Sequence, residues 1–483
     1  MCETSVTKIS KQIRLAALVL LLFLASCALP QQDLRQPPQY TEVPNRPGYA
    51  RLNSFFAMKD SRAPAVRMDI DEVSVLDGHY WLPLTSQPLT IDSEELADAQ
   101  MFLGAIVLPP GTYSSIRFSF TSIQIGDESG AWREINEFPA TVEISLAEKI
   151  HLAADESAAL FVLWDVERSL TRGGGFEPRL QVTAATRQLP LDLLYVSCPD
   201  IDTIFVVRAD ENRVVDAFGI TGGPTWINAV QTGGDGFLYV LAAQDRLVKV
   251  VDLSTFRTVD FFPAPLNDAP TFMQVDAAGR VAFLLDEKSG YVSRMDLRSG
   301  YIEARTYLGF QPHFAIYIEE KNLLAVSLAL SQKVQLLDAD TLENRGELST
   351  GGRPQGLLFA NDILYVAEQG DDTVAIFNLD SRRSLGRIAV NQGPMRIVDT
   401  DNQIYVSHRV ASSVAALTPG QLSVFREIPN LGRTTEMTYD PTFRRLYVVD
   451  ERAGELAVID VNANLLIGRV EFGARPVGLA VLP

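Results

Sequence analysis

Cysteine is close to absent. The 483 residues hold three, at Cys2, Cys27 and Cys198. Cys2 and Cys27 lie in a leader-like N-terminus, so the body of the chain keeps Cys198 alone and an intramolecular disulfide is excluded there. No Cys-x-x-Cys-His occurs, which removes covalently attached haem. Histidine is equally scarce, with four in the chain. There is no Gly-x-Ser-x-Gly elbow and no Gly-rich phosphate loop of the Walker type. Positive charge is short too: 42 Lys and Arg face 60 Asp and Glu, a net charge of −18. A chain this acidic does not neutralise phosphates, so nucleic acid is excluded as a partner recruited by charge. Beyond the N-terminus no run approaches the about 18 apolar residues that a membrane helix needs.

What the chain does have is a repeat. Aligned on the middle of an apolar triplet, Tyr195, Tyr239, Phe283, Ala325, Tyr365, Tyr405 and Tyr447 follow one another at spacings of 44, 44, 42, 40, 40 and 42. A second anchor, Pro224, Pro270, Pro312, Pro354, Pro394, Thr434 and Pro476, is spaced by 46, 42, 42, 40, 40 and 42. A third ends an apolar run at Asp252, Asp296, Asp338, Asn378 and Asp460. The runs are short, rich in Val, Ile, Tyr and Phe, and split by Gly, Asp and Asn, which is strand chemistry. A period near 42 residues with about four strands per unit is the signature of a propeller blade. Seven triplets and seven anchors predict seven blades. The first triplet has no anchor before it and the last anchor has no triplet after it. The phase therefore predicts that Val477 to Leu482 joins the blade begun near Leu191 and closes the ring.

The carrying residues are Tyr195-Val196-Ser197-Cys198, Tyr239-Val240, Tyr365-Val366-Ala367-Glu368, Tyr405-Val406-Ser407-His408 and Tyr447-Val448-Val449-Asp450, with the Gly/Arg-Pro turns. On these, residues 191–483 resemble the YVTN-type seven-bladed propellers of bacterial surface and periplasmic proteins. The resemblance implies the fold and leaves the activity open, since such rings host many functions. At the fourth motif position the family usually has Asn. Here it is Cys198, Ala242, Asp286, Leu328, Glu368, His408 and Asp450.

The N-terminus reads as an address. Lys8, Lys11 and Arg14 precede an apolar core from Leu15 to Ala25, which ends in Leu24-Ala25-Ser26-Cys27. That core is too short to span a bilayer comfortably. The ending resembles a bacterial lipobox, which implies a signal peptide over 1–26 and acylation of Cys27. Ala28 after the Cys, in place of Asp, implies sorting to the outer membrane. An acylated terminus holds a protein on a membrane without crossing it. The tether is expected over 27–48, where Gln31-Gln32, Pro37-Pro38 and Pro47-Gly48 read as solvated chain.

Residues 49–190 lack the period of 42 and alternate instead. Val66, Met68 and Ile70, then Ile116, Phe118 and Phe120, recur every second residue, as half-buried strands require. Further strands are expected at Thr141 to Ile144, Leu160 to Trp164 and Leu180 to Thr183, giving an antiparallel β-sandwich of seven or so strands. Ser93 to Gln100 is expected as a short helix capped by Ser93. The phrase Pro109-Pro110-Gly111-Thr112-Tyr113-Ser114-Ser115-Ile116-Arg117 resembles an uncharacterised bacterial lipoprotein domain family with a Pro-Pro-Gly-x-Tyr-x-x-Ile-Arg signature. Asp69, Asp71 and Glu72 read as a solvated strand edge, because no Gly-bearing ligand loop accompanies them. His79 and His151 read as isolated surface residues.

The fold class is therefore all-β: a sandwich over 49–190 followed by a seven-bladed propeller over 191–483. In a propeller the anchor turns and fourth motif positions converge on a central funnel, a usual ligand site. The candidate binding set is Asp286, His313, Arg353, Glu368, Arg396, His408, Arg433, Glu436, Asp450 and Arg475, with Cys198 nearby. One reading makes this a recognition surface. A second has His313, His408, Glu368 and Asp286 hold a metal that activates water, as in propeller lactonases and lyases. A third places a redox cofactor there, and no quinone or haem motif supports it. The expectation is a monomeric envelope lipoprotein that binds a protein or envelope ligand, with no catalytic residue, metal or cofactor assigned.

Overall fold

The computed structural model describes residues 45–482 apart from 60, 86, 98, 128, 185–191, 265–269 and 310. The expected signal peptide, Cys27 and most of the expected tether lie outside the described residues. Residues 41–483 form one compact unit. Among the described residues it is nearly all β, with two sheets before residue 185 and seven four-stranded antiparallel sheets after it.

The seven later sheets follow the repeat. We number them 1 to 7. Sheet 1 joins Arg213–Gly219, Thr203–Arg208, Leu193–Cys198 and the terminal strand Gly478–Val481 in that hydrogen-bonded order. Sheets 2 to 7 each use four consecutive strands, within 224–263, 272–307, 312–349, 354–389, 394–429 and 434–471. The terminal strand pairs antiparallel with the first, Ser197 opposite Gly478 and Leu194 opposite Val481. The phase of the anchors anticipated that pairing. The innermost strands touch in succession from sheet 2 to sheet 7, and Gly478–Val481 touches both sheet 7 and sheet 2.

Apolar cores form between successive sheets rather than within one. Val230, Tyr239 and Val248 of sheet 2 pack on Met273, Leu284 and Met295 of sheet 3, and Val334, Leu336 and Leu348 of sheet 4 pack on Leu357, Val366 and Phe377 of sheet 5. The triplet tyrosines tie these layers. Tyr239 donates to the Gly279 carbonyl at 3.0 Å. Tyr405 donates to Asn464 Oδ1 at 2.7 Å. Tyr447 donates to the Ala209 carbonyl at 3.3 Å, joining sheet 7 to sheet 1. Tyr405→Phe removes a buried hydrogen bond between sheets 6 and 7, and a loss of about 1 kcal/mol is expected in urea unfolding. An unchanged midpoint would assign the tyrosine to packing alone. The Asp and Asn anchors close the tight turns after the third strands. Asp252 accepts from the Ser254 N–H and Oγ, and Asn378 accepts from Ser381 in the same way, which is the local turn chemistry of Asx side chains.

The first part holds two sheets on one core. A six-stranded sheet contains Val66–Asp77, Gly111–Gly126 and Thr141–Leu152. A four-stranded sheet runs Leu180–Ala184, Ser157–Trp164, Ala50–Met58, Gln100–Leu108. Met68, Val75, Ile116 and Phe118 of the first meet Leu52, Phe56 and Trp164 of the second. The expected strands all form. Two features differ from expectation. Ala50–Met58 is buried at every residue and pairs parallel with Ser157–Trp164, so the sheet is not purely antiparallel. A strand covered on both faces does not alternate, which is why period-two reading passed over it. The segment after Ser93 is a turn rather than a helix. Asp92 Oδ1 takes the Glu94 N–H, while Ser93 Oγ is drawn off to the Val66 N–H.

The two parts meet along sheet 1. Phe205 lies between Phe55 and Phe472, with ring centroids 6.0 and 5.2 Å away. Gln100 bonds the Val214 backbone with both ends of its amide, at 2.8 and 3.1 Å. Ser157 Oγ accepts from Thr203 Oγ1 at 2.9 Å. The contact is close enough that a Cβ on Gly219 would sit 2.5 Å from the Asp155 carbonyl. The outer edge of sheet 1 is thereby covered, as exposed edges usually are.

Candidate functional site

The site is built by the innermost strands. Two residues past each anchor stand Trp226, Phe272, Phe314, Gly356, Arg396, Glu436 and Gly478. Some of their contacts join neighbouring sheets and others cross between sheets that are not neighbours. The rings of Trp226 and Phe272 are 4.7 Å apart, and those of Phe272 and Phe314 are 4.8 Å apart. The Arg396 guanidinium lies 4.4 Å from the Phe314 centroid and 5.4 Å from that of Trp226. Sheets 2, 4 and 6 thus meet through one aromatic–cation stack. Arg396 Nε donates to Glu436 Oε2 at 2.9 Å. Arg396 is 5% exposed, and burial pushes the Glu436 carboxyl up while Arg396 pulls it down. The two glycines make room: a Cβ on Gly356 would come 2.5 Å from the Met395 carbonyl. The arrangement is a plug of three aromatics and one buried ion pair.

Charged groups gather at the anchor-turn end of these strands. Glu451 meets three guanidiniums, from Arg409 at 3.5 Å, Arg433 at 3.3 Å and Arg475 at 3.1 Å. Arg475 also forks onto Asp200 at 2.7 and 3.0 Å, and this carboxylate raises its pKa further. Burial, Arg433 and Arg396 all work against the charge on Arg409, whose Nε is buried without a partner. His313 Nδ1 stands 3.5 Å from Glu287 Oε1, and burial keeps its ring pKa low. Arg353 is exposed with φ +52°.

The fourth motif positions behave differently. Cys198, Ala242, Asp286, Leu328, Glu368, His408 and Asp450 are all buried. Their polar members bond mostly to turns and side chains close by, while among the described residues Asp286 Oδ2 and His408 Nε2 are buried without a partner. Asp286 accepts from the N–H groups of Lys288 and Ser289. Asp450 accepts from those of Arg433, Arg452 and Ala453. Glu368 takes the Gly351 N–H, the Thr373 hydroxyl and the Arg387 guanidinium. The structure thus brings Arg396 with Glu436, and Arg433 with Arg475, but sends His313 and His408 to separate partners. Among the described residues no three His, Cys, Asp or Glu side chains gather as a metal-holding group. Arg409, Glu451, Glu287 and the aromatic trio were not singled out in the sequence. Counting on from the same anchors finds them all: two past the proline, or one past the fourth motif position.

His408 carries a pH prediction. Its Nδ1 lies 3.2 Å from the Ser413 carbonyl and from Ser413 Oγ, and the Asp372 charge acts on it. Burial lowers its pKa from 6.5 to about 4. Between these values the unfolded chain binds the proton and the folded one does not. The stability this represents is complete above pH 6.5 and is lost as pH falls towards 4. The loss is about 3 kcal/mol, at 1.36 kcal/mol per unit. His408→Asn is expected to remove that component, flattening the decline of the urea midpoint between pH 6.5 and 4. An identical slope in both proteins would refute it.

No family model matches the chain. Among curated proteins, Antigen Lp49 of Leptospira interrogans is 24% identical over 193 residues, 35% of this chain and 42% of its own length. The match therefore spans less than half of that relative. Three solved structures are covered almost whole. A protein of unknown function from Desulfotomaculum acetoxidans is 15% identical with a TM-score of 0.52, over 60% of this chain and 99% of its own. One from Lactobacillus plantarum is 17% identical at 0.52, over 61% and 100%. A 6-phosphogluconolactonase candidate from Bacteroides fragilis is 13% identical at 0.51, over 60% and 98%. At these identities the chain shares with them an all-β fold of repeated four-stranded sheets.

Proposed function

We propose that this is a lipid-anchored envelope protein whose ring is a binding module. In this reading residues 1–26 are a signal peptide and Cys27 carries the acyl anchor in the outer membrane. Residues 27–48 are the tether, 49–190 a β-sandwich, and 191–483 a seven-bladed propeller closed by its terminal strand. The cyclic succession of innermost strands, the cores between successive sheets and the pairing of Gly478–Val481 with Leu193–Cys198 support the closed ring. The similarity to an antigen supports the envelope location. The observation that carries the binding role is the plug. With Trp226, Phe272, Phe314 and the Arg396–Glu436 pair filling the axis, what the ring offers at the anchor-turn end is a shallow, charged face. Such a face suits recognition by a monomeric module.

Two positions test this. A photo-reactive residue at Arg353 is on the anchor-turn face, and one at Ser381 is in a turn at the other end of its sheet. In intact cells the first is expected to give a discrete adduct that Arg433→Glu abolishes, and the second none. Equal adducts from both, or none from either, would sink the reading. Stoichiometric divalent metal in the purified chain, lost in His313→Ala, would instead favour a metal-dependent hydrolase or lyase.

A further inference from the structure

The outer strands repeat as closely as the inner ones. In each of the seven later sheets the pairing of the third and fourth strands slips by one residue at the same place. The extra residue falls 20 positions after the triplet residue, from Val215 in sheet 1 to Ile467 in sheet 7. A bulge of this kind stops further strand pairing and so protects an edge. Sheet 1 shows what covers it instead. Val214, just before the extra residue, gives its N–H to Gln100 Oε1 at 2.8 Å and takes Gln100 Nε2 on its carbonyl at 3.1 Å. A residue whose two backbone groups both leave the sheet belongs to a non-hydrogen-bonded pair. Gln100 thus fills a socket made of an outward N–H, an outward C=O and the half-buried side chain of Val215. The same segment goes on to touch sheet 7. The Phe102 ring lies against Gly473, and the Phe102 N–H donates to Glu471 Oε2 at 3.3 Å, at the end of the outer strand Leu465–Glu471.

The socket recurs in sheets 6 and 7. Val424 stands opposite Leu417 and Leu466 opposite Ile459, each directly before its extra residue, so their N–H and C=O also point outward. Among the described residues nothing bonds them there. The extra residues are Phe425 and Ile467, 48% and 47% exposed. Open edges usually carry charge at such places, and sheets 3 and 4 do: Glu303 pairs with Arg294, and Arg345 with Asp338 at 2.6 Å. Sheets 6 and 7 add exposed Leu422 and Leu465 instead. Val259 and Leu385 are apolar as well. However, sheet 2 stands between the covered sheet 1 and the charged sheet 3, and Leu422 lies over Gly386 beside Leu385. The open apolar stretch that continues an existing junction is therefore the one on sheets 7 and 6, and such a stretch marks a contact site.

We propose that the outer strands of sheets 6 and 7 dock an extended segment of a partner polypeptide that presents a side-chain amide flanked by apolar residues. The amide accepts from the outward N–H and donates to the outward C=O of Val424 or Leu466, as Gln100 does at Val214. Phe425 or Ile467 lies beside it, as Val215 lies beside Gln100. A carboxylate in the same place has no donor for the C=O. This surface lies apart from the anchor-turn face, and the inference does not rest on the role of that face.

Labelling of the full chain in detergent tests it. The probe is the acetylated peptide Ala-Gln-Met-Phe-Leu, which reproduces residues 99–103, with a photo-reactive phenylalanine at its fourth position. Mass spectrometry is expected to find saturable adducts concentrated in the outer strands Val424–Pro429 and Leu465–Glu471. The same peptide with Glu in place of Gln is expected to label about tenfold less. Phe425→Glu combined with Ile467→Glu is expected to remove the adducts at an unchanged melting midpoint, since both side chains are half exposed. Glu303→Leu opens the charged socket of sheet 3 and is expected to gain adducts in Ile302–Tyr307. That gain keeps the test decisive should the double variant fold poorly. Overturning results are labelling spread evenly over sheets 3, 4, 6 and 7, equal labelling by the Glu peptide, or labelling that does not saturate. The adduct at Arg353 reports on the anchor-turn face alone, so either proposal can fail without the other.

Discussion

Arg396→Met is expected to destabilise the protein by about 3–5 kcal/mol, because it leaves a buried carboxylate without its partner. Arg396 is 5% exposed, and Glu436 keeps 12% of its side-chain surface. The methionine fills much of the volume and preserves contact with Phe314 and Trp226, so the loss is mainly electrostatic. The sign with pH follows. Burial already raises the Glu436 carboxyl, opposed by Arg396. Without the arginine it rises further, so the variant is least impaired in acid, where Glu436 is neutral in both states, and most impaired as pH climbs. Arg396→Met with Glu436→Gln removes the orphan charge and is expected to recover most of the loss, as buried pairs replaced whole often do. Urea midpoints at pH 4.5 and 7.5 for the two variants decide it. A single variant within about 1 kcal/mol of the parent, flat with pH, would mean that water reaches the pair and the plug is not dry.

That pair shows what was legible in the sequence. The anchors marked the first three strands of most later sheets but not the fourth, and their phase placed Gly478–Val481 beside Leu193–Cys198, because a repeat reports position independently of chemistry. The candidate residues were harder. Glu368, His408 and Asp450 end their second strands, and it is natural to aim them at the funnel. Each instead meets a nearby group: Asp450 accepts the first N–H groups of the turn that follows, Glu368 takes the Gly351 N–H with Thr373 and Arg387, and His408 Nδ1 meets Ser413. A buried polar group follows its nearest unsatisfied donor. Glu436 was in the set, but its partner could not be known: Arg396 precedes it by one repeat, and no local rule pairs residues 40 apart. The aromatic trio went unread because aromatics at strand positions are ordinary core until two sheets that are not neighbours prove to share them. Ala50–Met58 was missed for a related reason, since burial on both faces erases the alternation that marks a strand.

Phe205→Ala is expected to cost about 3–5 kcal/mol, the usual range for emptying a buried phenylalanine site, and to loosen the first part of the chain from the later sheets. Phe205 is fully buried, stacks on Phe472 from the end of sheet 7 and takes the edge of Phe55. Phe55 in turn touches Phe102 and Phe161 at 5.6 and 5.8 Å. One ring therefore joins sheet 1, sheet 7 and the strand Ala50–Met58, at the place where the terminal strand also completes sheet 1. Around it the bonds are polar and few: Thr203 to Ser157, Gln100 to Val214, and the Phe102 N–H to Glu471. Each of these contributes about 1 kcal/mol, so the aromatic contact outweighs any one of them. A double-mutant cycle of Phe205→Ala with Phe55→Ala separates the interface from the core of the later sheets. A coupling energy of about 1 kcal/mol or more assigns the loss to the junction, whereas strictly additive effects assign it to sheet 1 alone. Coupling also has a consequence for anchoring. Under the proposed anchoring, a first part fixed to the later sheets through Phe205 would hold the face that bears Arg409 and Arg433 in a constant orientation to it. With the junction broken, adduct formation at Arg353 is expected to fall although the face itself is untouched.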